Sequence, residues 1–134
     1  MNTTFIVDLK NKPGELAKVT EAIAQKRINI TAFSGSTCRD SGALALVTDN
    51  EADTRQVLTE GQWTYKTIEL VEASVADKPG SLAEVTRRLA NAGVNVEAAF
   101  PVGMTGGEVH IGFATDNPSK AKQALGELVG TSTR

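Results

Sequence analysis

Apolar residues alternate with polar ones at Phe5, Val7 and Leu9, then recur at helical spacing at Leu16, Val19, Thr20 and Ile23. A period of two predicts a strand, and a period near 3.6 predicts a helix with one buried stripe. Alternation resumes at Ile28, Ile30 and Ala32 and again at Leu44 and Leu46, predicting a second and a third strand. The same succession then starts over: Val71, Ala73 and Val75; Leu82, Val85, Thr86 and Leu89; Val94, Val96 and Ala98; Val109, Ile111 and Phe113. Between second and third strands, Ser34 to Gly42 and Val102 to Gly107 are rich in glycine or serine and are predicted as hairpin loops. Asn50 and Asn117 stand where a second helix would take its N-cap, with Pro118 suited to a first turn. Leu125, Leu128 and Val129 are the predicted buried stripe of the later helix, and Trp63 to Ile68 a fourth strand running into the second succession.

The two successions are copies. Lys12-Pro13-Gly14-Glu15-Leu16-Ala17-Lys18-Val19-Thr20 returns 66 positions on as Lys78-Pro79-Gly80-Ser81-Leu82-Ala83-Glu84-Val85-Thr86, and Thr48-Asp49-Asn50 returns as Thr115-Asp116-Asn117. A repeat that long is a small unit in its own right rather than one layer of a solenoid, whose repeats run about 20 to 50 residues. The predicted class is α+β: two tandem ferredoxin-like β-α-β-β-α-β units, residues 1–68 and 69–134, each an antiparallel sheet with helices on one face. The second copy has only Thr131 to Arg134 after its last helix, too few for an equivalent fourth strand, so a partner is expected to cover that sheet edge. Ala43, Ala45, Val47, Ala99, Gly112 and Ala114 are expected on the face away from the helices, where small residues would let another sheet approach.

The segment copied most faithfully is the turn that launches a helix. Proline ends the strand before it, glycine allows a sharp bend, and the first amides of the helix are left without intrahelical partners. With the positive end of the helix dipole, the amides around Gly14, Glu15 and Leu16, or Gly80, Ser81 and Leu82, form a cradle for a carboxylate. Asp77 is suited to an ammonium group, and Asn11 to either an ammonium or a carboxylate. Asn29 and Asn95 recur on the second strands and add an amide to each set. The combination suits a free amino acid. The same turn is also a sound way to end a strand and start a helix, and the asparagines could equally satisfy nearby backbone groups.

These residues resemble the ACT domain, a small module attached to enzymes and regulators of amino-acid metabolism. The likeness runs through Asp77-Lys-Pro-Gly-Ser-Leu-Ala-Glu-Val and on to Ala92-Gly93-Val94-Asn95-Val96, and covers nearly the whole chain twice. It implies a regulatory amino-acid sensor. Asn11 and Gly14, or Asp77 and Gly80, would supply the turn, Asn29 or Asn95 the asparagine, and a second domain the facing surface. Copy one departs at Lys26-Arg27, where copy two has Ala92-Gly93, so the two sites need not bind alike.

Composition narrows the alternatives. A net charge of −2 and 4% aromatic residues supply neither the basic footprint nor the stacking platforms of a nucleic-acid binder. Apolar runs are too short to span a membrane, no secretory leader is visible, and the single Cys38 forbids an internal disulfide, so a reducing cytosol is expected. Gly103-Met104-Thr105-Gly106-Gly107 lacks the lysine of a phosphate-binding loop. His110, between Val109 and Ile111, is expected to face away from the core, as an interface or solvent residue. No metal set, cofactor motif or acid/base pair is discernible, and the chain reads as non-catalytic. The expected partners are an amino acid and either a second copy of the chain or an enzyme or regulator. The main rival is a protein-interaction module, a regulatory subunit or transcriptional repressor, without a ligand.

Overall fold

The computed structural model describes residues 2–129. They form two compact units, one of Thr3–Thr67 and one running from Ile68 onward together with Asn2.

In the first unit, β1 (Thr3–Lys10) leads through the Lys-Pro-Gly turn into α1 (Glu15–Gln25), followed by β2 (Ile30–Cys38), β3 (Ser41–Thr48) and α2 (Glu51–Glu60). β3 lies between β1 and β2, antiparallel to both. Phe5 pairs with Leu46 and Val7 with Leu44, so these four share a face. That face packs under Val19 and Ile23 of α1 and Val57 and Leu58 of α2. On β1's other flank Asp8 donates to the Thr64 carbonyl at 2.9 Å, at the entry to β4 (Tyr65–Ala76). β4 is one strand of 12 residues that ends the first succession and begins the second.

The second unit repeats the plan with β4, α3 (Ser81–Asn91), β5 (Val96–Thr105), β6 (Glu108–Thr115) and α4 (Pro118–Leu125). Val71 pairs with Phe113 and Ala73 with Ile111. This face packs against Val85, Leu89, Ala121 and Leu125.

Thr48-Asp49-Asn50 and its copy prove to be joinery. Asn50 and Asn117 cap α2 and α4, accepting from Asp53 and Lys120 amides at 3.0 and 3.1 Å. The carboxylates of Asp49 and Asp116 hold the amides of Asn29 and Asn95 at 2.9 and 3.0 Å, where the second strands begin. Thr48 is buried against the Thr54 hydroxyl at 2.7 Å.

Five expectations need correction. The supposed hairpin loops are mostly strand, since only Arg39–Asp40 and Gly106–Gly107 separate the paired strands. Arg39 (φ 58°) and Gly106 (φ 53°) take the positive φ that a two-residue hairpin needs, so polar, flexible-looking residues extend the ladder instead of leaving it. Leu16 and Leu82 stay about half exposed, at 48% and 54%, because each lines an open groove rather than the packed core. Thr20 and Thr86 also leave the core stripe and hydrogen-bond back to the carbonyls of Leu16 and Leu82, both at 3.0 Å.

The last helix stops at Leu125, and a short 3-10 turn follows. Val129 is extended and bridges Ala73 on the flank of β4 away from β6. On the same flank Leu70 donates to the Asn2 carbonyl at 2.9 Å, so this edge is partly engaged by the chain itself. The Thr131 to Arg134 segment lies outside the described residues.

Finally, Ala45, Val47, Gly112 and Ala114 are buried within the chain, with Leu70 and Val102 methyls 3.0 Å from where a Gly112 Cβ would sit. Ala99 pairs with the core residue Phe113 and so lies on the helix side. Only Ala43 stays exposed on the face away from the helices, so the small residues do not form a continuous free face for a second sheet.

Candidate functional site

Each Lys-Pro-Gly turn ends in a glycine with left-handed backbone, Gly14 at φ 89° and Gly80 at φ 90°, and a Cβ at either would look into open space. Each glycine is the N-cap residue of its helix, and neither helix has a side-chain cap. The amides of Glu15 and Ser81 turn back to the Lys12 and Lys78 carbonyls over 3.4 and 3.3 Å, long for hydrogen bonds. Among the described residues, those of Gly14, Leu16, Gly80 and Leu82 donate to no protein acceptor. One of the three amides of each expected cradle is thus satisfied internally, and two are left without a protein acceptor at the positive end of the helix dipole.

Beside each turn lies a groove. In the first unit its volume is about 350 Å³, with Asn11, Lys12, Glu15 and Leu16 along one wall and Phe33, Gly35 and Leu44 opposite. In the second it is about 300 Å³, with Asp77, Lys78, Ser81 and Leu82 facing Ala99, Pro101 and Ile111. The two are the same feature seen twice. In each unit the second strand runs out past the helix and leaves its helix-side face uncovered. Phe33, paired with the core residue Leu46, is accordingly 64% exposed.

Asn29 and Asn95 do not belong to these grooves. Each lies just before its second strand, beyond the far end of an 11-residue helix that begins at the turn. At 1.5 Å per residue the separation is about 16 Å. Within a unit the structure therefore brings together Asn11, Gly14, Glu15 and Leu16, or Asp77, Gly80, Ser81 and Leu82, and leaves the asparagines apart.

The wall residues differ in how they are engaged. Asn11 donates through Nδ2 to the Arg39 carbonyl at 2.8 Å, and Glu15 accepts from Lys18 at 3.2 Å with Lys12 at 4.0 Å. Asp77, Ser81 and Lys78 have no side-chain partner among the described residues, and Ser81 is only 8% exposed. That burial was not legible, because serine at a helix start reads as a solvated cap.

His110 does point away from the core. Its Nδ1 lies 2.6 Å from the Ser74 hydroxyl and its Nε2 3.0 Å from that of Thr105, which makes it a cross-strand tie. Among the described residues there is no cluster of three or more metal-ligating side chains, and no helix is long and apolar enough to cross a membrane. Cys38 is exposed.

Solved structures share this architecture. A protein of Bacteroides thetaiotaomicron superposes with a TM-score of 0.76 at 25% identity, over 93% of this chain and 86% of that one. The regulatory subunit of aspartate kinase from Thermus thermophilus does so with a TM-score of 0.66 at 15% identity, over 92% and 88%. That from Thermus flavus gives 0.62 at 18%, over 93% and 91%. No curated protein sequence matches the chain. The family model described as the ACT domain matches residues 3–60 and 70–100. Those two segments make up more than half of the sequence, and the chain belongs to the ACT domain family.

Proposed function

We propose that this chain is a cytosolic, non-catalytic regulatory module that binds a free amino acid in the groove beside a Lys-Pro-Gly turn. Binding would favour one packing of the module with a second copy or with an enzyme or regulator, which is what coupling between sites requires. The carrying observation is the pairing of outward amides at Leu16 and Leu82 with a groove at each turn. A carboxylate suits such a helix start, and a volume near 300 Å³ is at the small end of ligand pockets. The likeness to aspartate kinase regulatory subunits, a fold-level one, agrees with a role in control rather than chemistry.

Thermal denaturation with each of the twenty amino acids tests this. At a hundredfold excess over Kd, a ligand of the folded state adds about 2.7 kcal/mol, on the order of 10 °C in Tm. No shift with any amino acid at millimolar concentration rejects the sensor. The half-exposed Leu16 and Leu82 then favour the rival, a protein-interaction module using the same surface without a ligand.

A further inference from the structure

The two grooves offer different chemistry, and the differences fall on facing residues. In the first, the turn's polar side chains are partly engaged: Asn11 donates to the Arg39 carbonyl, and Glu15 lies between Lys12 and Lys18. In the second, Asp77 is exposed and its carboxylate has no partner among the described residues, so an ammonium group would meet a free carboxylate there. Ser81, at the first position of α3, is more than nine-tenths buried as a residue and lines the groove, and its hydroxyl, accessible from the groove, has no hydrogen-bond partner among the described residues. The amide of Leu82 is likewise without an acceptor. With the Lys78 ammonium, which also lines this groove, its polar end therefore presents a hydroxyl, an amide, a cation and a carboxylate, the complement of a zwitterion's two charged groups. The rest is hydrocarbon, with Val75, Ala99, Phe100, Pro101, Val109 and Ile111 and no polar side chain among them.

We infer that the groove of the second unit is the amino-acid site, that it takes one α-amino acid with an aliphatic side chain, and that the first groove does not bind it. This rests on the reading of the chain as an amino-acid sensor and adds which groove, how many and which class. Ser81 and Leu82 receive the α-carboxylate, with the dipole of α3 behind them. Asp77 receives the ammonium. The side chain lies along the strand residues, where a polar or charged group would lose its water and find no partner.

Isothermal titration of the full chain with leucine, valine, isoleucine and methionine, and with threonine, aspartate and lysine, reads all three parts. The expected result is one site per chain and an aliphatic ligand preferred by about tenfold or more over the polar ones. N-acetylleucine and leucinamide, each lacking one charge, should bind at least about tenfold more weakly than leucine. Ser81→Ala and Asp77→Asn should each weaken binding about tenfold without lowering the Tm of the ligand-free protein. Phe33→Asp, on the floor of the first groove, should leave it unchanged. Tightest binding by a polar amino acid, two equivalent sites per chain, or loss of binding in Phe33→Asp but not in Asp77→Asn overturns this assignment and leaves the sensor reading standing. Binding of none of the seven, with no thermal shift from any of the twenty, overturns both.

Discussion

Single residues account for most of what differs between the copies. Both first helices end in a residue of left-handed backbone, Arg27 at φ 58° and Gly93 at φ 74°. Left-handed backbone costs a residue bearing a Cβ about 1–2 kcal/mol, and glycine avoids that cost. The closing bond of the motif reflects it: the amide of Ile28 reaches the Ile23 carbonyl at 3.4 Å, where Val94 reaches Leu89 at 2.9 Å. Arg27→Gly should raise the unfolding free energy by about 1 kcal/mol, measured by urea titration with an unchanged m-value. A loss of stability would mean that the Arg27 side chain makes up for its backbone. Alignment of the copies had already shown that Arg27 replaces a glycine, but its positive φ became visible only in the folded backbone. Leu16 and Leu82 show the opposite limit. Their spacing fits the buried stripe, yet each lines an open groove, and periodicity cannot tell a covered apolar position from an uncovered one.

Among elements, the join between α3 and the end of α4 was not legible, because it depends on side chains 37 and 39 residues apart. Arg88 on α3 donates to the Leu125 carbonyl at 3.3 Å and to the Glu127 carboxylate at 3.1 Å. Glu127 has its pKa lowered, first by a backbone hydrogen bond and then by the hydrogen bond and charge of Arg88. A carboxyl whose folded pKa lies below its unfolded value adds stability above the unfolded pKa and loses it as pH falls through the folded one. The join should therefore be intact at neutral pH and weaken in acid below the ordinary glutamate range. In Arg88→Gln that acid-induced part of the stability loss should shrink, which comparing wild-type and variant urea midpoints between pH 7 and pH 3 would detect. Equal pH dependence in both proteins would leave the join without a role in acid stability. Local signals, by contrast, were fully legible. The caps at Asn50 and Asn117 and the alternation of β1, β3 and β6 depend on neighbours close in sequence, so sequence alone placed them.

For the whole molecule, the period of 66 residues announced two successions of elements, and each unit does carry its own hydrophobic cluster. What the repeat could not announce was the unequal chemistry of the grooves, because that depends on which polar groups the fold has already engaged. Asn11 and Asp77 are counterparts in sequence, but Asn11 carries an N–H and spends it on the Arg39 carbonyl, whereas a carboxylate has none to spend. Separate cores allow separate local stabilities, since amide exchange reports the opening of each cooperative region rather than one global event. A ligand that contacts Asp77, Ser81 and Leu82 slows exchange most where opening destroys its site, by up to about a hundredfold at a hundredfold excess over Kd. The amides of α3, β5 and β6 should therefore slow more than those of α1, β2 and β3 when a saturating aliphatic amino acid is added. Hydrogen exchange followed by mass spectrometry separates these segments. Greater slowing in the first unit would move the site to the groove beside Asn11, and equal slowing throughout would mean that the chain opens as one cooperative body despite its two cores.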